Sequence, residues 1–375
     1  MPLPCSLHPL HPLIYLCITI LFFTLPCTSS SSSPFPSSSS SLPAVVVPTI
    51  SAVKLAAKLS IHKKLLRDGY VRIPSLLSHD DALAWEKVVV AAAQKRAESC
   101  TLIPKSPSLA CEPTPPQGAP TSFFRARDLA ATDAGLAALT HSRALARLVA
   151  SALRLKGLRF YSASVFIKHT GDERSRWHAD AAAMPFRTDK IVTLWLSLAD
   201  IDADAGALKF LNGSHLPGVP RPSLRDVPVF ERPFAMATWA DATDDTVHSA
   251  TGLNITRAHT MVAGDATLHL GWTLHSASPN RSKRDRVALA ITYFVDNAQI
   301  ENILEMLPSG KGDARGGVRF SGDGGGDDLI VHLLADDVDT WSHWLHERVL
   351  IPGAQMNHEM LTPLLYGGGG GGGDL

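Results

Sequence analysis

Apolar residues recur at helical spacing in the first part of the chain, and from Leu158 onward they alternate with polar ones. Lys54 to Arg67 is predicted as a helix with Leu55, Leu59 and Leu66 near one face, ended by Asp68-Gly69 before a short strand, Tyr70 to Ile73. Ser78 caps a second helix. Asp80 and Asp81 occupy its first turn, where the positive end of the helix dipole favours them, and it runs to about Ala97. A third helical stretch covers Leu136 to Leu155. Beyond it, Ile191 to Leu198 places Val192, Leu194, Leu196 and Leu198 on one face and Thr193, Trp195 and Ser197 on the other, the period of a strand. Further strands are predicted at 206–211, 257–262, 266–275 and 286–294. A helical start followed by many short strands predicts a mainly β fold with flanking α-helices, a double-stranded β-helix or jelly roll.

The 375 residues include 45% hydrophobic residues, enough for a sizeable core, and 35 basic residues balance 35 acidic ones. No global field would draw such a chain to nucleic acid or to an anionic membrane, so a small-molecule substrate is expected. The pattern leaves the oligomeric state open. The first acidic residue is Asp68, and Leu13 to Leu25 form a 13-residue apolar run, too short to cross a bilayer. Residues 1–28 therefore read as a signal peptide and 29–52 as a Ser/Pro-rich low-complexity segment. That points to the secretory pathway, with a plastid address through a bipartite leader as the alternative. The remaining organisation is one domain over 53–366, interrupted by a Pro-rich loop insertion at 98–122, and a Gly-rich tail at 367–375. Only Cys100 and Cys111 lie beyond the leader, so no disulfide scaffold is expected, and whether the two pair depends on the compartment.

His178 and Asp180 are two residues apart, so on extended backbone both side chains project to one side and can share a metal ion. His79-Asp80-Asp81 has the same spacing but opens a helix. What separates the two pairs is context: Trp177-His178-Ala179-Asp180 precedes the long alternating strand, and a third candidate ligand, His275, follows 95 residues after Asp180. Two imidazoles and a carboxylate on one face of Fe(II) leave positions open for a chelating cosubstrate and O2. Arg286 is the candidate for the far carboxylate of such a cosubstrate, because its planar fork matches a carboxylate with two hydrogen bonds. Ala288 and Ala290 share its strand face and would leave room for a ligand. Of the other histidines, His269 has the strand parity of His275 and is read as packed beside the site. His215 is read as stabilising the Asn-Gly-Ser turn before it, and His332, His343, His346 and His358 suit no single metal site.

This half of the chain resembles the phytanoyl-CoA dioxygenase family. The resemblance runs through Trp177-His178-Ala179-Asp180-Ala181-Ala182-Ala183-Met184-Pro185-Phe186 and Ile191-Val192-Thr193-Leu194-Trp195. It continues through Gly206-Ala207-Leu208, Asn212-Gly213-Ser214-His215, Gly264-Asp265, His275, Asn280-Arg281-Ser282 and Arg286-Val287-Ala288. With the Asp68 to Ile73 opening it covers roughly residues 60–295. The resemblance implies a cupin-like jelly roll, Fe(II) at His178, Asp180 and His275, 2-oxoglutarate on Arg286, and Trp195 lining the cosubstrate pocket. It also implies an oxidative reaction in which O2 and 2-oxoglutarate yield succinate, CO2 and a hydroxylated substrate. The chain departs from the family in its insertion and in Ala277, where a small hydroxyl residue is common. A jelly-roll binding protein without turnover and a jelly-roll metalloenzyme that does not use 2-oxoglutarate are the alternatives, and cosubstrate-dependent succinate release separates all three.

Overall fold

The computed structural model describes residues 55–102, 123–127, 129–131, 133–184, 186–219, 242–257, 260–300, 355 and 364–367. The leader, the Ser/Pro-rich segment, Cys111, most of the insertion and the four late histidines lie outside the described residues, as does the side chain of Cys100.

Among the described residues the α-helices are α1 (Leu55–Asp68), α2 (His79–Leu102), α3 (Ala134–Thr140), α4 (Arg143–Leu153) and α5 (Asp244–Thr251). The strands, in chain order, are β1 (Tyr70–Ile73), β2 (Phe124–Arg127), β3 (Gly157–Lys168), β4 (Phe186–Arg187), β5 (Ile191–Ser197) and β6 (Leu208–Leu211). They continue as β7 (Ile255–Arg257), β8 (Ala266–Leu270), β9 (His275–Ala277), β10 (Arg286–Val295), β11 (Gln299–Ile300) and β12 (Leu364–Gly367). A large antiparallel sheet runs β1-β8-β5-β10-β3-β12, with β2 also on β3, and a small sheet runs β7-β6-β9. This is the expected double-stranded β-helix.

Alternation along the large sheet gives it two chemically different faces. Val192, Leu194, Leu196, Leu268, Val287, Leu289 and Ile291 point outward into one apolar core, where Trp85 and Val89 of α2 and Leu145, Leu148 and Val149 of α4 meet them. Ala82, Trp85, Val89 and Ala93 follow at helical spacing, so α2 buries one continuous stripe. The opposite face carries Trp195, Ala288 and Ala290, which pack with Phe210 and Ala277 of the small sheet. The helices therefore close one side, and the polar residues of the alternation face the interior of the roll.

Several boundaries differ from the sequence reading. The stretch 136–155 is two helices, because Asp133 and Ser142 each accept a backbone N–H and start a new one. α2 continues to Leu102, so the insertion opens in helix. The strand expected at 206–211 begins only at Leu208, since Gly206 has φ +74°. In place of a strand at 257–262 stand β7 and an isolated bridge between Met261 and Ile201. The single strand expected at 266–275 is broken. β8 ends at Leu270, Thr273 N–H bonds back to the Leu270 carbonyl, and His275 opens β9 in the other sheet. Here the chain must cross from the large sheet to the small one, and a straight strand would not reach. Among the described residues no helix is long and apolar enough to cross a membrane.

Candidate metal centre

His178 and His275 face each other as an antiparallel pair. Each N–H donates to the other's carbonyl at 2.9 Å, so the backbone sets the two rings side by side, with centroids 4.1 Å apart. Around this bridge, Ser175 Oγ accepts from Ala277 N–H at 2.7 Å and Ser276 Oγ donates to the Ser175 carbonyl at 2.6 Å, fastening the segment to β9. Trp177, almost fully buried, anchors it from the other side beneath the Lys209 ammonium. Asp180 lies not on a regular strand, as the spacing suggested, but at the start of a 3-10 turn over Asp180–Ala183. The residue between, Ala179, is extended (φ −122°, ψ 127°), and this suffices to bring both side chains to one side.

The donor chemistry fits a divalent metal. His178 Nδ1 lies 2.9 Å from the Arg176 carbonyl and His275 Nδ1 lies 3.0 Å from the Thr273 carbonyl. A carbonyl only accepts, so each Nδ1 carries the proton and each Nε2 presents a lone pair. These two nitrogens stand 3.8 and 3.6 Å from Asp180 Oδ1. One ligand atom from each of the three residues falls within 4.8 Å of the others, close enough to hold one ion. The second carboxylate oxygen is occupied: Thr193 Oγ1 donates to Oδ2 at 2.6 Å and His269 Nε2 at 3.1 Å. Oδ1 is thereby left to the metal.

Electrostatics keeps the set unprotonated. Desolvation, then the adjacent His275 ring, lowers the His178 pKa, although one edge of His178 stays open to solvent and moderates the effect. Burial likewise lowers His275. Burial would raise Asp180, but His275, His269 and His178 outweigh it and hold the carboxyl well below its ordinary range.

Arg286 opens β10 and is 3% exposed. Its Nη1 donates to the Gly206 carbonyl at 3.3 Å, its guanidinium carbon sits 5.3 Å from the centre of the Trp195 ring, and its buried Nε has no hydrogen-bond partner among the described residues. Burial lowers its pKa to about 10, so it stays a cation at neutral pH. The face of Arg286 and Trp195 is that of Thr193, as the registers Ala290↔Trp195 and Thr292↔Thr193 require. The decoy His79 is elsewhere: it opens α2, half exposed, 3.3 Å from Asp200. His215 lies 3.1 Å from the Leu66 carbonyl, so it ties its loop to the end of α1, where the sequence reading expected a bond within the turn before it. His269 was read as packed beside the site, and its contact with Asp180 makes that reading specific. Two further residues were missed. Thr193 was visible in the polar face of its strand, whereas Phe210, whose ring lies between Tyr70 and the two histidines 269 and 275, carried no signal in sequence.

The family model described as phytanoyl-CoA dioxygenase (PhyH) matches residues 65–288, more than half of the chain. The chain belongs to the phytanoyl-CoA dioxygenase family. It is thus a dioxygenase of the iron- and 2-oxoglutarate-dependent kind, and the three candidate ligands lie within the matched span. Among solved structures, this family member is similar to the non-haem α-ketoglutarate-dependent carbocyclase SnoK from nogalamycin biosynthesis. The TM-score is 0.56 and the identity 18%, over 81% of this chain and 95% of that one. The epimerase SnoN, in complex with Fe3+, α-ketoglutarate and nogalamycin RO, aligns with TM-score 0.50 and 24% identity, over 72% and 97% of the two chains. Both likenesses are of fold. No curated protein gives a significant match to this phytanoyl-CoA dioxygenase-family sequence.

Proposed function

We propose that the protein hydroxylates a small organic substrate, releasing succinate and CO2, with Fe(II) held by His178, Asp180 and His275 and the distal carboxylate of 2-oxoglutarate held by Arg286. The reading rests on one observation above others: two imidazole Nε2 atoms and one carboxylate oxygen converge, each with its remaining polar atom already bonded. His178, Asp180 and His275 would hold an iron whose redox chemistry would couple O2 to the 2-oxo acid. The protein's own part is to position and to exclude. His269 and Thr193 fix the Asp180 carboxylate so that a single oxygen faces the ion, and the carbonyls of Arg176 and Thr273 fix the ring orientations. Arg286 offers a dry cation, which strengthens its pairing with a carboxylate. Phe210 packs on His269 and His275 and shields that side from water. Access is from the His178 side, the more exposed of the two rings.

The test is turnover with the purified protein, Fe(II), 2-oxoglutarate and O2, following succinate by mass spectrometry alongside untargeted metabolite profiling. Succinate release that depends on all three additions, and a product heavier than its precursor by one oxygen atom, is the expected result. A protein that binds iron but never consumes 2-oxoglutarate with any extract would overturn the reading.

A further inference from the structure

Lys168 is a fully buried lysine that the chemistry above does not use. It ends β3 and is the cross-strand partner of Arg286, so the two side chains leave the same face of the sheet next to each other. Gly206 seats both. Its carbonyl accepts from Arg286 Nη1, and a Cβ at this position would lie 2.6 Å from Lys168 Cδ and 3.0 Å from Cε, so the lysine stem runs through space that only glycine leaves. At its end, Lys168 Nζ donates to the Glu173 carbonyl.

The charges around Lys168 come from several elements. β10 supplies Arg286, the loop after β3 supplies Asp172 and Glu173, and the turn before β10 supplies Arg281. β2 adds Arg125, paired in register with Phe166, two residues from Lys168 on the same face. Glu173 and Arg281 form an exposed ion pair at 2.8 Å and largely cancel. Asp172 is buried as well, and its Oδ2 accepts from the His169 N–H of its own loop. Two basic side chains side by side on one face of the sheet, with the buried Arg286 Nε lacking a partner among the described residues, favour an anionic group beside them. Desolvation, then Arg286, brings the Lys168 pKa down to about 7, so at the upper end of the neutral range the amine is largely unprotonated.

We propose that Lys168 is a second arm of the cosubstrate clamp: the distal carboxylate of 2-oxoglutarate settles against Lys168 as well as Arg286, and the lysine takes up one proton from solvent as it does so. This rests on the functional reading above. A carboxylate beside the amine favours its ammonium form and raises its pKa in the complex. Below about pH 7 Lys168 is charged with or without cosubstrate, so affinity does not change with pH. As pH rises past about 7 the free protein loses the proton, and affinity falls by up to tenfold per unit until the pKa of the complex is reached. Arg286 remains protonated throughout and adds nothing to this slope.

Isothermal titration of the anaerobic Fe(II) protein with 2-oxoglutarate tests it, at pH 6.5 and 8.5 and in buffers of different ionisation enthalpy, which report protons taken up per molecule bound. Expected are an uptake approaching one proton at pH 8.5, little at pH 6.5, and a dissociation constant roughly tenfold or more higher at pH 8.5. Lys168→Met should remove the uptake and flatten the pH dependence while the iron content and melting temperature show that the site is still built; a lysine that only braces the loop would not move the proton count. If Lys168→Met fails to fold, Lys168→Gln takes its place, and the wild-type count stands without either. Tight binding with no uptake at pH 8.5, or uptake that survives the substitution, overturns the role of Lys168 and leaves the oxygenase reading intact. Failure of the wild-type protein to bind 2-oxoglutarate at any pH overturns both.

Discussion

The roles of single residues separate cleanly by substitution. His178→Ala or Asp180→Ala removes one of three converging donors. Each should abolish turnover and lower iron affinity by more than the roughly 10- to 100-fold that an outer contact is worth. His79→Ala is the control, since His79 has the same sequence spacing to its carboxylate but sits on the surface with Asp200. Equal iron loss in His79→Ala and His178→Ala, measured by metal analysis after dialysis, would rule out His178 and Asp180 as the metal pair. Arg286→Gln should leave iron binding nearly unchanged and weaken 2-oxoglutarate. Losing a buried charge-assisted contact costs about 2–5 kcal/mol, or roughly thirty-fold to a few thousand-fold in affinity. Titration of the anaerobic iron protein, followed through the visible charge-transfer band of the chelate, measures it, and an unchanged dissociation constant removes Arg286 from the site. At this scale the sequence offers candidates because ligand chemistry is specific: histidine and aspartate two apart before an alternating strand, which converge with His275, and an arginine at the start of another strand.

Elements carry these residues, and their junctions were harder to read. β8 and β9 look like one alternating run in sequence, yet they belong to different sheets, and the break between Leu270 and His275 is what turns His275 toward His178. Nothing local distinguishes a run that bends from one that stays straight; the partner strands decide it. The turn before β8 is more explicit. Gly264 has φ +97°, and a Cβ there would lie 2.4 Å from the Leu77 carbonyl oxygen, whose residue also donates its N–H to the Gly264 carbonyl. Backbone on both sides leaves no flexible atom to yield. Gly264→Ala should therefore cost about 1–3 kcal/mol or more, seen as a lower denaturant midpoint in the metal-free protein. A wild-type midpoint would show that the turn relaxes at little cost. The same turn holds Asp265, which takes the Arg72 guanidinium at 2.5 Å and the Ser75 N–H at 2.8 Å, tying β1 to β8.

For the molecule as a whole, the acid-free start with its 13-residue apolar run motivates removal of a leader. Mass spectrometry of the native protein should find its N-terminus beyond about residue 27. An intact Met1 or Pro2 would refute that and, with it, the proposed secretory or plastid address. Within the described residues, the amino-acid sequence by itself determined the class of fold, since a change from helical to alternating period dictates which elements form and which faces are apolar. It marked out three candidate ligands, which the fold brings together, and offered Arg286 as a candidate for the cosubstrate, because those residue types carry their chemistry wherever they fold. Only the tertiary structure decided what surrounds them. Thr193 and His269 meet Asp180 from two neighbouring strands, Phe210 meets His275 within the small sheet and His269 across the roll, and Lys168 stands beside Arg286 although 118 positions separate them in the chain. Such contacts depend on strand order and register, which arise from the packing of distant segments and leave no periodicity in the sequence around any one of them.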